Sequence, residues 1–281
     1  PSELCLWLRV VFGCRVVKGL VLAEAGGLAT VGDAPSFGDV IEAFDVGSAL
    51  PGVHVEFSNE SLKGCLQRWP GAGTMLIHGP LAVSRRTTDA VDRLSGASVH
   101  ESEGVIPLGV VGLQQGNHVY ILGRLGSLEE SSGGQNVLCD ALEQLLVSNS
   151  VPWLLQLFLI ARKDRGVVGI GVVKVEELWR LARKLRMPVK CNAEKLCQST
   201  HVRSFCLRDL QQRAMVLGFA DAERPLALRL EFEAFSQERD LQTPQLQLRR
   251  DRLRMEFAAE IDTLYAEVEQ DHHRARASKI R

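Results

Sequence analysis

Two apolar runs in the second half of the chain, residues 153–161 (WLLQLFLIA) and 167–175 (VVGIGVVKV), are separated only by the charged stretch RKDRG. Each run has the length of a strand, and the polar turn ending in Gly166 folds the second back beside the first, so the pair reads as a hairpin. The helical pattern VEELWRLARKLRM follows and stops before Pro188, because the residue preceding a proline is pushed out of the α region. A second helical stretch, residues 207–219, is closed by Gly218. Leu226, Leu228, Leu230 and Phe232 then alternate with Arg229, Glu231 and Glu233, which predicts a half-exposed strand. The second half therefore reads as a second sheet-and-helix region.

The first half is richer in glycine and in short elements. Strands are expected over residues 3–10, 15–24, 53–57 and 73–79, with a loop over 25–39. VIPLGVVGL and HVYILGRL flank QQGN and read as another hairpin. Short helices are expected after Asn59 and over residues 84–96. Residues 125–136 (LGSLEESSGGQN) form the most polar glycine- and serine-rich segment, after which Asn136 caps an amphipathic helix. The fold class is therefore α/β or α+β, with mixed sheet regions, crossover helices and a long C-terminal helix. The expected division is an acidic region 1–125, a linker 126–136, a basic region 137–243 and a long helix 244–281.

That last helix carries a narrow stripe of Leu246, Leu253, Phe257, Ile261, Leu264 and Val268. Its spacing approaches a coiled-coil seam, so this helix is expected to lie on a partner protein or to cross the rest of the fold, and docking through it on a partner is the function read from it. Net charge is -1 but unevenly spread. Residues 1–150 hold 9 Lys and Arg against 16 Asp and Glu, whereas residues 151–281 hold 24 against 18. Seven cysteines in 281 residues are too few for a disulfide scaffold and point to a reducing intracellular compartment: cytoplasm, nucleus or an organelle matrix. No apolar run is long enough to span a bilayer, and no secretory leader is expected at the N-terminus.

Residues 189–206 gather Cys191, Cys197, His201 and Cys206 with spacing C-x5-C-x3-H-x4-C. These are zinc-ligand types, and Cys197 and His201 share a face if the stretch is one helix, although no tight cysteine pair opens the motif. The alternative is that the cysteines are core. No other cofactor is expected. Arg85 and Arg86 precede a threonine-capped helix start, an arrangement suited to a phosphate. Arg180, Arg183, Lys184, Arg186, Arg249 and Arg250 form further basic clusters of the kind that contact phosphate or nucleic acid. The competing reading is a solvated charged face, since acidic neighbours dilute the clusters and aromatics are only 6%.

No Walker A loop, complete dinucleotide fingerprint, nucleophile elbow, HExxH or EF-hand occurs. With no motif naming a reaction, the expected function is a non-catalytic structural or interaction subunit of a larger assembly, with other protein subunits as partners. A nucleic-acid-associated subunit and an enzyme acting on a phosphorylated small molecule are the alternatives.

Overall fold

A computed structural model describes residues 2–22, 27–33, 41–59, 62, 66–78, 105–148, 151–186 and 192–279. The chain divides into two compact units, Pro1–Leu128 and Glu129–Arg281.

The first unit opens with helix α1 (Ser2–Phe12) and continues through β1 (Val17–Leu22), β2 (Gly27–Asp33), β3 (Asp45–Ala49), β4 (His54–Ser58), β5 (Gly73–His78), β6 (Val105–Gln115) and β7 (His118–Arg124). These strands make one seven-stranded sheet in the order β1-β2-β3-β7-β6-β5-β4. Every neighbouring pair is antiparallel. The β6–β7 turn is a two-residue loop with Gly116 at φ 59°. Strands β2 and β3 approach so closely that a Cβ on Gly32 would lie 2.5 Å from the Gly47 Cα. Ala29, Met75, Ile77 and Val119 are buried at the centre, flanked by Val55, Phe57, Val110 and Ile121. The buried Thr30 hydroxyl donates to the Val46 carbonyl at 2.5 Å and accepts from the Leu20 N–H at 3.2 Å, so it is not an orphaned polar group.

The second unit begins with the ribbon β8 (Leu128–Glu130) and β9 (Asn136–Leu138), then α2 (Cys139–Ser148), β10 (Leu154–Arg162), β11 (Gly166–Val173), α3 (Val175–Lys184), α4 (Ala193–Gln198), α5 (Thr200–Val216), β12 (Pro225–Glu231), α6 (Arg250–Glu256) and α7 (Ala258–Lys279). Its main sheet has the order β10-β11-β12. Strands β10 and β11 are the expected antiparallel hairpin, and β12 returns parallel to β11 after the crossover helices. All eight residues of β11 are buried, as befits a central strand covered on both faces. One face packs Phe158, Ile160, Val168, Ile170 and Val172 against Leu253, Phe257, Ile261, Leu264 and Val268 of α6 and α7. Tyr265 sits in the same cluster, and its hydroxyl lies 3.1 Å and 3.2 Å from the carbonyls of Ile160 and Gly166 at the hairpin end. Gly218, at φ 75°, ends α5 as expected, with the Phe219 N–H reaching back to the Ala214 carbonyl.

Several expectations are corrected. Residues 2–12 are helical, not a strand. Leu4, Leu6 and Leu8 alternate, but Leu4, Trp7, Leu8 and Val11 also fit a helical period, and Gly13 at φ 59° closes the helix. The expected loop over 25–39 contains β2. The helix expected over 244–281 starts only at Arg250 and divides at Phe257. Residues 241–249 form a turn instead, with Gln242 bridged to Leu248. The stripe assigned to a partner protein is internal. Leu253, Phe257, Ile261, Leu264 and Val268 are buried on this unit's own sheet, while Leu246 lies in the turn and is exposed. Phe232 falls beyond the end of β12. The helix expected over 84–96 lies outside the described residues, as do residues 60, 61 and 63–65 of the one after Asn59, whose end over 66–69 is not helical.

Candidate functional site

Strand β10 is an edge of its sheet, and its pairing with β11 turns the backbone groups of Leu159 and Ala161 outward. Charged side chains occupy that edge where another strand would lie. The Leu159 N–H donates to Glu143 at 2.7 Å and the Ala161 N–H donates to Glu129 at 2.7 Å. The Leu159 carbonyl accepts from Nη2 of Arg250. Arg250, only 6% exposed, gathers these carboxylates. Its Nη1 lies 2.7 Å from Glu143 and 3.2 Å from Asp140, and its Nη2 lies 3.1 Å from Glu129. Its guanidinium stacks 4.9 Å from the Phe158 ring centroid, and its buried Nε has no hydrogen-bond partner. Arg254 adds a second cation, 2.6 Å from Glu129.

Burial pushes the Glu143 carboxyl up from 4.5 to about 7, against the opposing pull of Arg250 and with a further push from Asp140. Burial works against the charge of Arg250, but the neighbouring carboxylates of Glu143, Glu129 and Asp140 outweigh it and hold the guanidinium charged. The Cys139 thiol beside the cluster is raised well above its ordinary range, first by burial and then by Glu129. It is therefore a neutral packing group rather than a nucleophile.

The cluster roots the turn before α6. The Thr243 N–H donates to the Gln247 carbonyl at 2.8 Å, the Arg249 N–H donates to the Leu241 carbonyl at 3.0 Å, and Arg249 pairs with Asp240 at 2.6 Å. At its tip Leu246 is 69% exposed and held at φ 63°, an unfavourable conformation for a branched side chain. Leu246 is thus an exposed, strained position on a turn whose base is held by hydrogen bonds and an ion pair.

A cleft of about 220 Å³ opens elsewhere in the second unit. Its walls include Cys197 of α4, Arg203 of α5, Arg229 and Glu231 of β12, and Glu260 and Glu267 of α7. Both arginines are already engaged. Arg203 meets both oxygens of Glu267, at 2.8 Å and 3.4 Å, and donates to the Leu228 carbonyl at 3.2 Å. Arg229 lies 2.6 Å from Glu231 and 3.7 Å from Glu260. An anion entering the cleft would have to displace carboxylates.

The proposed zinc stretch is not one helix. Cys197 belongs to α4 and His201 to α5, so the shared face disappears; Cys191 lies outside the described residues. Cys197 and Cys206 are buried, and burial raises both thiols to about 12. Among the described residues, no three His, Cys, Asp or Glu side chains are grouped to hold a metal. Of the phosphate candidates, Arg85 and Arg86 lie outside the described residues. Arg180 pairs with Glu177 at 2.5 Å, Arg183 reaches the Trp179 carbonyl at 3.5 Å, and Lys184 lies over the Phe205 ring at 5.7 Å. Arg186 sits just past α3 at φ 54°. Arg249 is engaged by Asp240, and Arg250 is the buried hub. Sequence reasoning missed Glu129, Asp140 and Glu143, which lie more than 100 residues from their partner.

No protein-family model matches the chain. It is 26% identical over 274 residues to long-chain-fatty-acid–CoA ligase 6 of Rattus norvegicus, covering 92% of this chain and 36% of that protein. It is 24% identical to long-chain-fatty-acid–CoA ligase 1 of Cavia porcellus, covering 93% of this chain and 36% of that protein. It is 30% identical over 151 residues to long-chain-fatty-acid–CoA ligase 5 of Rattus norvegicus, covering 53% of this chain and 22% of that protein. The chain thus spans about a third or less of these relatives.

The fold resembles part of several solved adenylation domains. The adenylation domain of a carboxylate reductase from Mycobacterium chelonae superposes with TM-score 0.68 at 18% identity, covering 94% of this chain and 37% of that one. The didomain of a carboxylic acid reductase from Segniliparus rugosus, in complex with AMP, gives 0.69 at 16% identity, covering 100% and 35%. An anthranilate CoA ligase in complex with anthranoyl-AMP gives 0.58 at 14% identity, covering 94% and 42%. These findings overturn the non-catalytic assembly subunit and the nucleic-acid-associated subunit, because both the relatives and the fold neighbours are enzymes that act on carboxylic acids. No described helix is long and apolar enough to cross a membrane.

Proposed function

We propose that this chain is part of a carboxylate-activating ligase that joins a long-chain fatty acid to coenzyme A through an acyl adenylate. The observation that carries the reading is the sequence match to a long-chain-fatty-acid–CoA ligase over 92% of the chain. The AMP and anthranoyl-AMP bound in fold neighbours support it. In the first step a carboxylate oxygen attacks the α-phosphorus of ATP, and the bond to pyrophosphate breaks. In the second the thiol sulfur attacks the acyl carbon, the bond to AMP breaks, and the thiol proton passes to solvent. Because the chain spans about a third of its relatives, the whole reaction is assigned to the enzyme of which it forms a part.

The test combines calorimetric titration with AMP and an assay of AMP release from ATP, both on the enzyme that contains this chain. The expected result is AMP binding, with release that requires both a saturated long-chain fatty acid and coenzyme A. Absence of AMP binding, together with release indifferent to added acid, would overturn the reading.

A further inference from the structure

The cluster around Arg250 joins segments far apart in the chain, and its charges do not balance when every group is ionised. We propose that Arg250, Glu129, Asp140 and Glu143 form a proton-sensitive latch that fastens α6 and the turn before it, residues 241–249, to the free edge of β10.

The geometry sets the charge count. From β8 comes Glu129; its neighbour Glu130 is turned to Lys163 at 3.2 Å. From α2 come Cys139, Asp140 and Glu143. Strand β10 contributes the N–H groups of Leu159 and Ala161, the Leu159 carbonyl and the Phe158 ring. From α6 come Arg250 and the more exposed Arg254; Asp251 of the same helix lies 3.5 Å from Arg254 but is 79% exposed, so its charge stays in solvent outside the buried count. Helix α7 contributes the Tyr265 phenol, which feels Glu129 and Cys139 on one side and Arg162 and Arg165 on the other.

Three carboxylates therefore face two guanidinium groups. With one proton on the cluster the charges cancel; without it one negative charge is buried and uncompensated. Asp140 and Glu143 share one nitrogen, Nη1 of Arg250, so their like charges are pressed together. Glu143 is the seat of that proton, since burial and Asp140 both favour its neutral form and hold it up to about 7. A protonated Glu143 still accepts from Leu159 and Arg250 through Oε1 and carries the proton on its other oxygen. Raising the pH through this range strips the proton and sets Asp140 against Glu143. Arg250, which ties α6 to Asp140 and Glu143, then holds a cluster with excess charge. The segment it anchors carries the strained, exposed Leu246. The latch thus governs how firmly that turn is presented, independently of which substrate the enzyme takes.

Amide hydrogen exchange of the purified chain tests this, with protection corrected for the intrinsic pH dependence of exchange and read at about pH 6 and about pH 8. In the wild type, protection of residues 241–257 is expected to fall by roughly tenfold between the two, while that of α5 changes much less. Glu143→Gln removes the titrating group, and Asp140→Asn restores charge balance without a proton; each is expected to leave protection of 241–257 high and unchanged with pH. Two substitutions keep the test open if one of them misfolds. Equal wild-type protection at both pH values would overturn the latch. So would an unchanged fall in the folded variants, or a fall shared equally by α5.

Discussion

At the scale of single residues, Arg250 shows why a buried ion cluster is both an anchor and a liability. Removing its guanidinium, as in Arg250→Leu, strands Glu129, Asp140 and Glu143 without their shared partner. The expected loss is about 3–5 kcal/mol at about pH 8 and less at about pH 5, where the carboxylates can take up protons; urea unfolding at both values measures it. Glu143 acts in the opposite direction. Its carboxyl is raised from 4.5 to about 7 in the fold, so the folded state binds more protons than the unfolded state across that window. Its contribution to stability is complete below 4.5, falls as pH rises toward about 7, and is lost above it. Glu143→Gln is expected to flatten this slope, with a difference on the order of 2 kcal/mol between about pH 5 and about pH 8 in denaturant titrations. Arg249 and Arg250 stand side by side in the sequence as equal candidates for phosphate. One lies beside Asp140, Glu143 and Glu129 and the other faces Asp240, because the carboxylates that claim them are supplied by different elements.

At the scale of elements, the stripe on the last helices illustrates a limit of periodicity. Spacing identifies which residues want to be buried, but it does not say whether the cover is a partner protein or the chain's own sheet. Here the cover is β10, β11 and β12. Leu264→Ala, in the centre of that packing, is expected to cost about 2–5 kcal/mol in chemical denaturation. Leu246 belongs to the same sequence stripe yet is exposed at φ 63°. Leu246→Gly is expected to stabilise the second unit by up to about 1 kcal/mol, because glycine adopts that conformation without strain. The β10–β11 hairpin was legible because both runs were strand-length and the intervening turn was polar. Helix α1 was not, because its apolar residues fit two periods and only the Gly13 closure at φ 59° decides between them.

At the scale of the whole molecule, the two units hold separate cores, one around Met75, Ile77 and Val119 and the other around β10, β11, α6 and α7. Residues 129–281, expressed alone, are expected to unfold in one cooperative transition by calorimetry, since their ion cluster and core are internal to them. The relation to CoA ligases was not legible from motifs, because the chain carries none of the short signatures that name a reaction. It emerged from similarity spread over 92% of the chain and from the arrangement of strands and helices.

The sequence by itself determined the β10–β11 hairpin, helix α3, the end of α5 at Gly218, the alternating strand β12 and the apolar stripe of the final segment. Those features rest on local periodicity and on the backbone preferences of glycine and proline. Only the tertiary structure decided that the stripe is core, that the turn at 241–249 interrupts the expected helix, and that Arg250 is held among Glu129, Asp140 and Glu143. Each of these depends on which distant groups come to share a low-dielectric interior, where the cost of an unpaired charge or an uncovered apolar face selects the partner.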